Sequence, residues 1–309
     1  MDEDMPMDTS QDVFYFTEGA LVYAGYHVHE EFHPLHTHSF VEIAFVVGGT
    51  GTHHCLAGRH KLRPGAAVLL RPGVWHGYEE CQHLELYNCC FSSELLRREL
   101  SWTREDPMLG YLLWTGPYSA PGKGVLTISL DKPSFEDCQA HMHALAALRY
   151  RSSERYRADI IGHLTLLLGR LGQAVDEVRP AQSAEPGPLH PVVGRAMRLL
   201  EADIARRWTL TGLADELHVA PGYLVRLFKS ATGLPPMAYL AKVRAEQAAV
   251  LLLDSSQPIM SIARAVGWPD QNYFARRFRA HYGLSATVYR ERFATRAFHL
   301  PEPSSGAAP

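Results

Sequence analysis

The chain has 309 residues, enough for two domains, and its 46% hydrophobic content is ordinary for a globular protein. Its 30 Lys and Arg against 33 Asp and Glu give a formal net charge of −3. No apolar run approaches the ~20 residues that cross a bilayer, and the acidic N-terminus has neither the basic region nor the apolar core of a signal peptide. We therefore expect a cytoplasmic protein with no membrane partner. The five cysteines lack Cys-x-x-Cys spacing, which favours a reducing compartment and buried, inert thiols over a thiol sensor.

A β-rich domain is expected over residues 13–130, after a disordered N-terminus at 1–12. Short apolar runs alternate with Gly and Pro turn signals from about residue 21 to residue 91. Closely spaced strands with such corners are typical of a small barrel or jelly roll. The predicted strands are 43–47, 66–70 and 84–91, and the predicted breaks are 48–49, 63–65 and 71–73.

Within this domain, the pattern His36-x-His38-x-x-x-Glu42, followed by Gly49, Gly65 and Pro72-Gly73-x-x-His76, resembles the two motifs of the cupin fold. Alternate residues of a strand face the same side, so His36 and His38 converge. With Glu42 and His76 they would make a three-nitrogen, one-oxygen set that suits zinc, nickel, iron or manganese. The sequence leaves the alternative open that hydrogen bonds satisfy these side chains without a metal.

The same four residues, with Trp75 and Tyr78, also suit a pocket for a small polar effector. Aromatic rings pack on sugar faces, while His and Glu bind hydroxyl groups. Trp75 fits equally well as a plain residue at the barrel mouth.

Two amphipathic helices are expected in residues 131–178, as a dimerisation or cover region. The first has apolar residues at helical spacing from Phe135 to Leu148, and the second carries a broader leucine stripe over 160–171. We predict that one helix covers the barrel and that the 160–171 stripe forms the seam of a dimer. A Pro/Ser/Gly-rich linker follows at 179–189, and a disordered tail is expected at 299–309.

A DNA-binding domain is expected over residues 190–298, because residues 210–293 contain two copies of one sequence unit. A shift of 50 residues lays Tyr223 on Tyr273, Arg226 on Arg276 and Gly233 on Gly283. Each copy has an apolar helix, a short turn and a second helix that ends at a glycine. Two short helices joined by such a turn make a helix-turn-helix, whose second helix enters the DNA major groove. The charge distribution also favours DNA binding by this part of the chain. Residues 190–309 hold 15 Lys and Arg against 9 Asp and Glu, whereas residues 1–189 hold 15 against 24.

Residues 233–240, Arg244 and 262–278 closely resemble the AraC/XylS family of transcription regulators. The resemblance implies two helix-turn-helix modules joined by a long helix, here 236–253, that reach two successive major grooves of double-stranded DNA. Carried over by position, the DNA-binding residues are Gly222, Val225, Arg226 and Lys229 in the first recognition helix and Gln271, Asn272, Arg276 and Arg279 in the second. Arg suits guanine and Gln or Asn suits adenine. The first recognition helix lacks the Ser that the family usually places before it and has Ala220–Pro221 instead.

In the AraC family a cupin-type domain often binds the effector. The residues around His36-Thr-His38 and from Gly49 to His53 are most similar to rhamnose-responsive members. The resemblance therefore implies a homodimeric, non-enzymatic regulator, and we expect an activator that is controlled by a small molecule, such as a sugar, and that contacts RNA polymerase. Two alternatives stay open on the sequence: a metal-dependent cupin enzyme, such as a sugar isomerase or dioxygenase, fused to a DNA-binding domain, and a metal or redox sensor.

Overall fold

The computed structural model of the chain describes residues 21–118, 123–149, 151–178 and 189–294, without the side chains of 176–178. The disorder predicted at 1–12 and 299–309, and all of the predicted linker except its last residue, fall outside these ranges. Within them, no helix is long and apolar enough to cross a membrane.

The N-terminal part is an antiparallel β-sheet, which confirms the expected β-rich domain. Its order is β1-β6-β3-β5-β7, with β2 paired to β6 and β4 paired to β3. The strands are β1 Val22–His29, β2 His33–His36, β3 Val41–Cys55, β4 Gly58–Leu62, β5 Ala66–Leu70, β6 His76–Phe91 and β7 Val125–Ser129. The long strands β3 and β6 pair along most of their length, so residues from their two ends meet across one ladder.

The glycine pair Gly48–Gly49 does not end a strand, contrary to the sequence prediction. Strand β3 continues to Cys55, and its register against β6 shifts three times between Val46 and Thr52. Gly49 has a φ of 65°, which a residue without Cβ adopts readily. The pair is therefore part of an irregular, bulged ladder, a usual place for glycine inside a strand.

Helices lie between β6 and β7 and after β7, and they pack on the sheet. They are α1 Ser93–Arg98, α2 Pro107–Gly110, α3 Lys132–Leu148 and α4 Arg157–Val178, with short 3-10 and π segments at Ser101–Arg104, Tyr111–Thr115 and Gly116–Tyr118.

The leucine stripe of α4 lies in the protein's own core. Its residues Ile160, Leu164, Leu167, Leu168 and Leu171 are all at most 5% exposed and belong to the same apolar cluster as the sheet. The prediction that this stripe forms a dimer seam was therefore wrong: it covers the sheet. Among the side chains of α4 that the structure describes, Leu166 is the large apolar one that is exposed, at 53%.

The C-terminal part is helical and contains both predicted helix-turn-helix units. Its helices are α5 Pro191–Ala202, α6 Leu210–Leu217, α7 Pro221–Thr232, α8 Pro236–Asp254, α9 Ile259–Ala265, α10 Gln271–Tyr282 and α11 Ala286–Phe293. Gly233 and Gly283 end α7 and α10 with φ values of 74° and 77°, as expected for glycine C-caps. The long helix α8 joins the two units, within one residue of its predicted end.

The starts of the two recognition helices differ in the way the sequence indicates. Ala220 offers no side-chain cap to α7, which begins instead with Pro221 in its first turn. Asp270 caps α10, because its carboxylate accepts a hydrogen bond from the Tyr273 N–H at 2.6 Å.

Candidate functional site

The predicted DNA-contacting residues lie on the solvent face of α7 and α10. Arg226, Lys229 and Gly222 are exposed on α7 and Val225 is half-buried, while Gln271, Asn272, Arg276 and Arg279 are all exposed on α10. The opposite faces are core: Leu224 and Phe228 in α7, and Phe274, Phe278 and Tyr282 in α10, are at most 1% exposed. Each helix is thus fixed by an apolar face and offers a polar face to solvent, as insertion into a major groove requires.

Two aromatic residues on these faces escaped the sequence prediction. Tyr223 and Tyr273 are 42% and 40% exposed, and the 50-residue repeat makes them equivalent. The Arg276 guanidinium lies 5.6 Å from the centre of the Tyr273 ring. The repeat carries a signal for them, because it places a tyrosine at the same position of both second helices.

Arg244, part of the family resemblance, has a structural role. Its guanidinium donates to the backbone oxygens of Ile204 and Arg206, each at 2.7 Å. It thereby holds the segment between α5 and α6 against α8.

In the sheet domain, His38, Glu42 and His76 form a compact buried cluster, hereafter the His–Glu cluster. Their ligand atoms all lie within 4.8 Å of one another, and the residues are 4%, 2% and 0% exposed. Strand β3 supplies Glu42, the segment just before it supplies His38, and the first residue of β6 supplies His76. The Glu42 Oε2 atom lies 2.8 Å from His38 Nε2 and 3.8 Å from His76 Nε2.

Backbone carbonyls set the orientation of both imidazoles. The Nδ1 atom of His38 lies 2.9 Å from Phe40 O, and that of His76 lies 3.4 Å from Val74 O. A carbonyl oxygen only accepts, so each Nδ1 carries the hydrogen and, in a neutral ring, each Nε2 presents a lone pair. The His38 lone pair then faces a carboxylate oxygen. Either a second proton on His38 or a cation between the two atoms resolves that repulsion.

Electrostatics keep the carboxylate charged and His76 neutral. Burial opposes the charge of Glu42, but the hydrogen bond and charge of His38 outweigh it, and the pKa of Glu42 is lowered. Burial lowers the pKa of His76 well below its ordinary value, and the neighbouring His36 and His38 add to the effect. Neutral imidazole and ionised carboxylate are the protonation states that bind a metal ion.

His36 and His53 flank the cluster. The His36 ring centroid lies 4.2 Å from that of His76, but its Nδ1 bonds Pro34 O at 2.9 Å and it does not join the compact set. His53, which the sequence prediction missed, is fully buried, and neither ring nitrogen has a hydrogen-bond partner among the described residues. Burial lowers its pKa to about 3. The register of β3 on β6 puts His53 opposite Tyr78, a pairing that the sequence alone does not reveal.

A cavity of about 20 Å³ borders Glu42 and is lined by His27, His29, His33, His36, Glu42, Tyr78 and Asn88. Such a volume holds about one water molecule or ion. Three of the predicted effector residues, His36, Glu42 and Tyr78, line it, whereas His38 and His76 lie in the adjoining cluster.

Trp75 does not belong to this cavity. Its indole N–H donates to the backbone oxygen of Tyr282, the last residue of α10, at 3.0 Å. The prediction that Trp75 belongs to the effector pocket was therefore wrong. The sequence alone does not reveal that α10 packs against this residue.

The cysteines offer no redox site. All five are buried and free, and burial raises the pKa of Cys89 to about 12 and that of Cys81 to about 11. Thiolates, the reactive form, are therefore scarce, which argues against the thiol-sensor alternative.

Known protein families match both the N-terminal and the C-terminal part of the chain. Residues 18–168 match the AraC-like ligand binding domain family, and residues 213–292 match a helix-turn-helix domain family. The HTH-type transcriptional activator RhaR of Pectobacterium atrosepticum is 27% identical over 92% of this chain and 95% of its own. RhaR of Yersinia pseudotuberculosis is 26% identical over 84% of each chain.

Among solved structures, ToxT from Vibrio cholerae superposes with a TM-score of 0.50 at 14% identity, over 89% of this chain and 99% of its own. That likeness concerns the fold alone.

The family is not enzymatic, which excludes the alternative of a metal-dependent cupin enzyme fused to a DNA-binding domain. With a ligand-binding β-sheet domain joined to a double helix-turn-helix, the chain belongs to the AraC family of DNA-binding transcription regulators.

Proposed function

We propose that the protein is a cytoplasmic transcription activator that binds two successive major grooves through α7 and α10 and responds to a ligand in its β-sheet domain. The observation that carries the proposal is the pair of recognition helices with equivalent exposed residues. Arg226 and Arg276 would contact guanine, Gln271 and Asn272 adenine, and Lys229 and Arg279 the phosphates. The relatives named as transcriptional activators support activation. Contact with RNA polymerase is part of this proposal.

We place the functional boundaries at 13–130 for the sensor domain, 131–178 for the helices that cover it, and 190–298 for the DNA-binding domain. A homodimer remains part of the proposal, with its interface on the exposed side of α4 around Leu166. A Cβ built on Gly162 meets no atom within 4 Å, so a neighbouring chain can approach closely there. Sedimentation velocity of the full-length protein measures the oligomeric state.

The DNA-binding part is tested by selecting duplexes from a random pool with the full-length protein and measuring affinity for the selected site. We expect Arg276→Ala to weaken binding by ~1–3 kcal/mol and to relax selectivity at one base pair. Arg195→Ala removes the same charge from the exposed surface of α5 and serves as the control. An equal loss on every sequence would show that Arg276 holds phosphate instead. Failure to select any sequence would contradict the proposed function.

The ligand that the site favours is a divalent transition metal, alone or as the anchor of a small organic effector. The Nε2 atom of His38 lies 2.8 Å from Glu42 Oε2, close enough for one cation to bind both atoms. The backbone carbonyls that hold His38 and His76 by Nδ1 are typical outer partners of metal-bound histidines. Zinc, nickel, iron and manganese all accept two imidazoles and a carboxylate. His36 and His53 are neighbours rather than members of this set.

A sugar requires more room than this arrangement has. Pockets for such ligands are usually ~300–1,000 Å³, far larger than the cavity beside Glu42. A deoxyhexose such as rhamnose, which the resemblance to rhamnose-responsive members suggests, would therefore enter only with movement of the surrounding strands. A thermal-shift screen of sugars, with and without added metal, separates a metal ligand from a sugar ligand.

A further inference from the structure

Two histidines outside the His–Glu cluster meet where α3 packs against α4. The Nδ1 atom of His141 in α3 lies 3.3 Å from the Nδ1 atom of His163 in α4, and the two ring centroids are 5.6 Å apart. Both side chains are half-buried, whereas the members of the His–Glu cluster are buried. These two residues, hereafter the His141–His163 pair, are therefore open to an ion from solvent.

The core fixes the two backbones that carry the pair. Met142 follows His141 and is 1% exposed, and Leu164 follows His163 and is fully buried. Both belong to the apolar cluster that includes the sheet. The pair is thus held by two packed helices rather than by loops, and helices position ligand atoms more precisely.

A shared hydrogen joins the two nitrogens only weakly. When two neutral imidazoles face each other through Nδ1, one nitrogen carries the hydrogen and the other accepts it. The separation of 3.3 Å is longer than the roughly 2.7–3.2 Å of an ordinary N–H···O bond. When both rings are protonated, both nitrogens are donors and the contact is repulsive.

The same separation suits one tetrahedral metal ion between the rings. Zinc binds imidazole nitrogen at roughly 2.0–2.1 Å. Two nitrogens 3.3 Å apart then subtend an angle of roughly 104–111° at the ion, a range that includes the tetrahedral angle. An octahedral ion at the same bond lengths would need nitrogens roughly 2.8–3.0 Å apart. The geometry therefore favours zinc, and cobalt(II) as its tetrahedral substitute, over metals that prefer octahedral sites.

The surroundings keep the pair able to bind a cation. Burial lowers the pKa of His141, and the neighbouring His163 and Arg170 add to the effect. That ring is therefore neutral at pH 7, the form that binds a metal. The positive charge of Arg170 is offset by Asp137, one turn before His141, whose Oδ2 atom lies 3.2 Å from Arg170 Nε.

We propose that the His141–His163 pair is a second metal site, which binds one zinc ion through its two Nδ1 atoms and leaves the remaining positions to water. The hydrogen that one Nδ1 carries moves through solvent to Nε2 of the same ring, so both Nδ1 lone pairs face the ion. The bound ion joins α3 to α4, the two long helices that pack on the sheet. This site does not depend on DNA binding or on a metal at the His–Glu cluster.

The test is a calorimetric titration of zinc into full-length protein that a chelator has freed of metal. We expect His141→Gln and His163→Gln each to weaken the same binding event at least roughly tenfold, because loss of even an outer partner of a metal ligand costs about 10–100-fold. His143→Gln, at an exposed histidine of α3, is the control and should match the wild type. Zinc should also slow amide hydrogen exchange in α3 and α4 of the wild type and the control, more than in the two pair variants.

The two metal sites are separated by His38→Gln, which should leave unchanged the binding event that His163→Gln weakens. Identical titrations of the wild type and both pair variants would overturn the proposal, whatever binds at the His–Glu cluster. An equal loss in His143→Gln would also overturn it, because zinc would then bind the histidines of this surface without selection. Circular dichroism at 222 nm confirms that each variant is folded.

Discussion

At the scale of single residues, the chemistry of the His–Glu cluster depends on which nitrogen of each histidine points toward Glu42. His38 and His76 both direct Nδ1 to a backbone carbonyl, and both present Nε2 toward Glu42. The arrangement selects the ligand atoms before any ligand arrives, which lowers the cost of ordering them.

The metal prediction belongs to these atoms. We expect purified, tag-free protein to retain a divalent transition metal, and we expect His38→Gln to lower the metal affinity at least tenfold by removing one ligand atom. Elemental analysis and titration with cobalt or nickel after chelation measure this. His60→Gln, at an exposed histidine of β4, should behave as the wild type. Equal and negligible metal in all three proteins would leave an organic ligand as the occupant.

The sequence predicted which residues lie near this site, but it did not predict which three of them come together in the compact set. His36, His38, Glu42 and His76 were all expected together, because alternation along a strand put His36 and His38 on one face. The compact set lacks His36, although its Nδ1 bonds a backbone carbonyl as those of His38 and His76 do. Convergence depends on the register of β3 against β6, which is a long-range property that spacing along the chain does not encode.

At the scale of elements, the helix-turn-helix units were predictable because their signals are local. Apolar spacing, glycine ends and the 50-residue repeat all lie within a few turns of helix. The end of β3 was mispredicted, because Gly48–Gly49 stays in the strand only through its pairing with β6. The leucine stripe of α4 was mispredicted as a dimer seam as well. Helical periodicity shows that one face of a helix is buried, but it does not show which part of the molecule buries that face.

The caps of the recognition helices give a prediction about element stability. Asp270→Ala removes the hydrogen bond to the Tyr273 N–H and should lower the free energy of unfolding by ~1 kcal/mol. Ala220→Ser should raise it by up to about the same amount, because Ala220 already has extended φ and ψ and makes no side-chain bond. Urea unfolding followed by circular dichroism measures both changes. A destabilising Ala220→Ser would mean that the Ser hydroxyl does not reach an amide N–H in the first turn of α7 and therefore does not cap the helix.

At the scale of the whole molecule, one apolar cluster runs from the sheet through α4 into α5, α6 and α7 and reaches Leu240 in α8. The sequence gives no sign of this continuity, because the contacts between domains join residues far apart. Arg71 and Glu246 are 175 positions apart, and either alone looks like an ordinary surface charge.

Whole-molecule stability should depend on pH through histidines that fold in the neutral form. Burial lowers the pKa of His53 and of His281 to about 3, against 6.5 in the unfolded chain. The unfolded state therefore binds more protons below pH 6.5, and stability is lost as pH falls through that value toward 3. Two such groups contribute roughly 2.7 kcal/mol per pH unit.

Chemical denaturation of the metal-free protein between pH 7.5 and 5.5 measures this slope. His53→Gln, which cannot titrate, should lower this slope by the share of one histidine, up to roughly 1.4 kcal/mol per pH unit. A slope that stays unchanged in the variant would show that His53 is protonated in the folded state.

The burial of all five cysteines has a practical consequence for spectroscopy. A maleimide reagent should leave the folded native chain unmodified, so a cysteine introduced at an exposed position becomes a unique attachment point. Ser230 on α7 and Ala280 on α10 are both exposed. Fluorophores placed at these two positions would report the separation of the recognition helices in solution, without first deleting any native thiol.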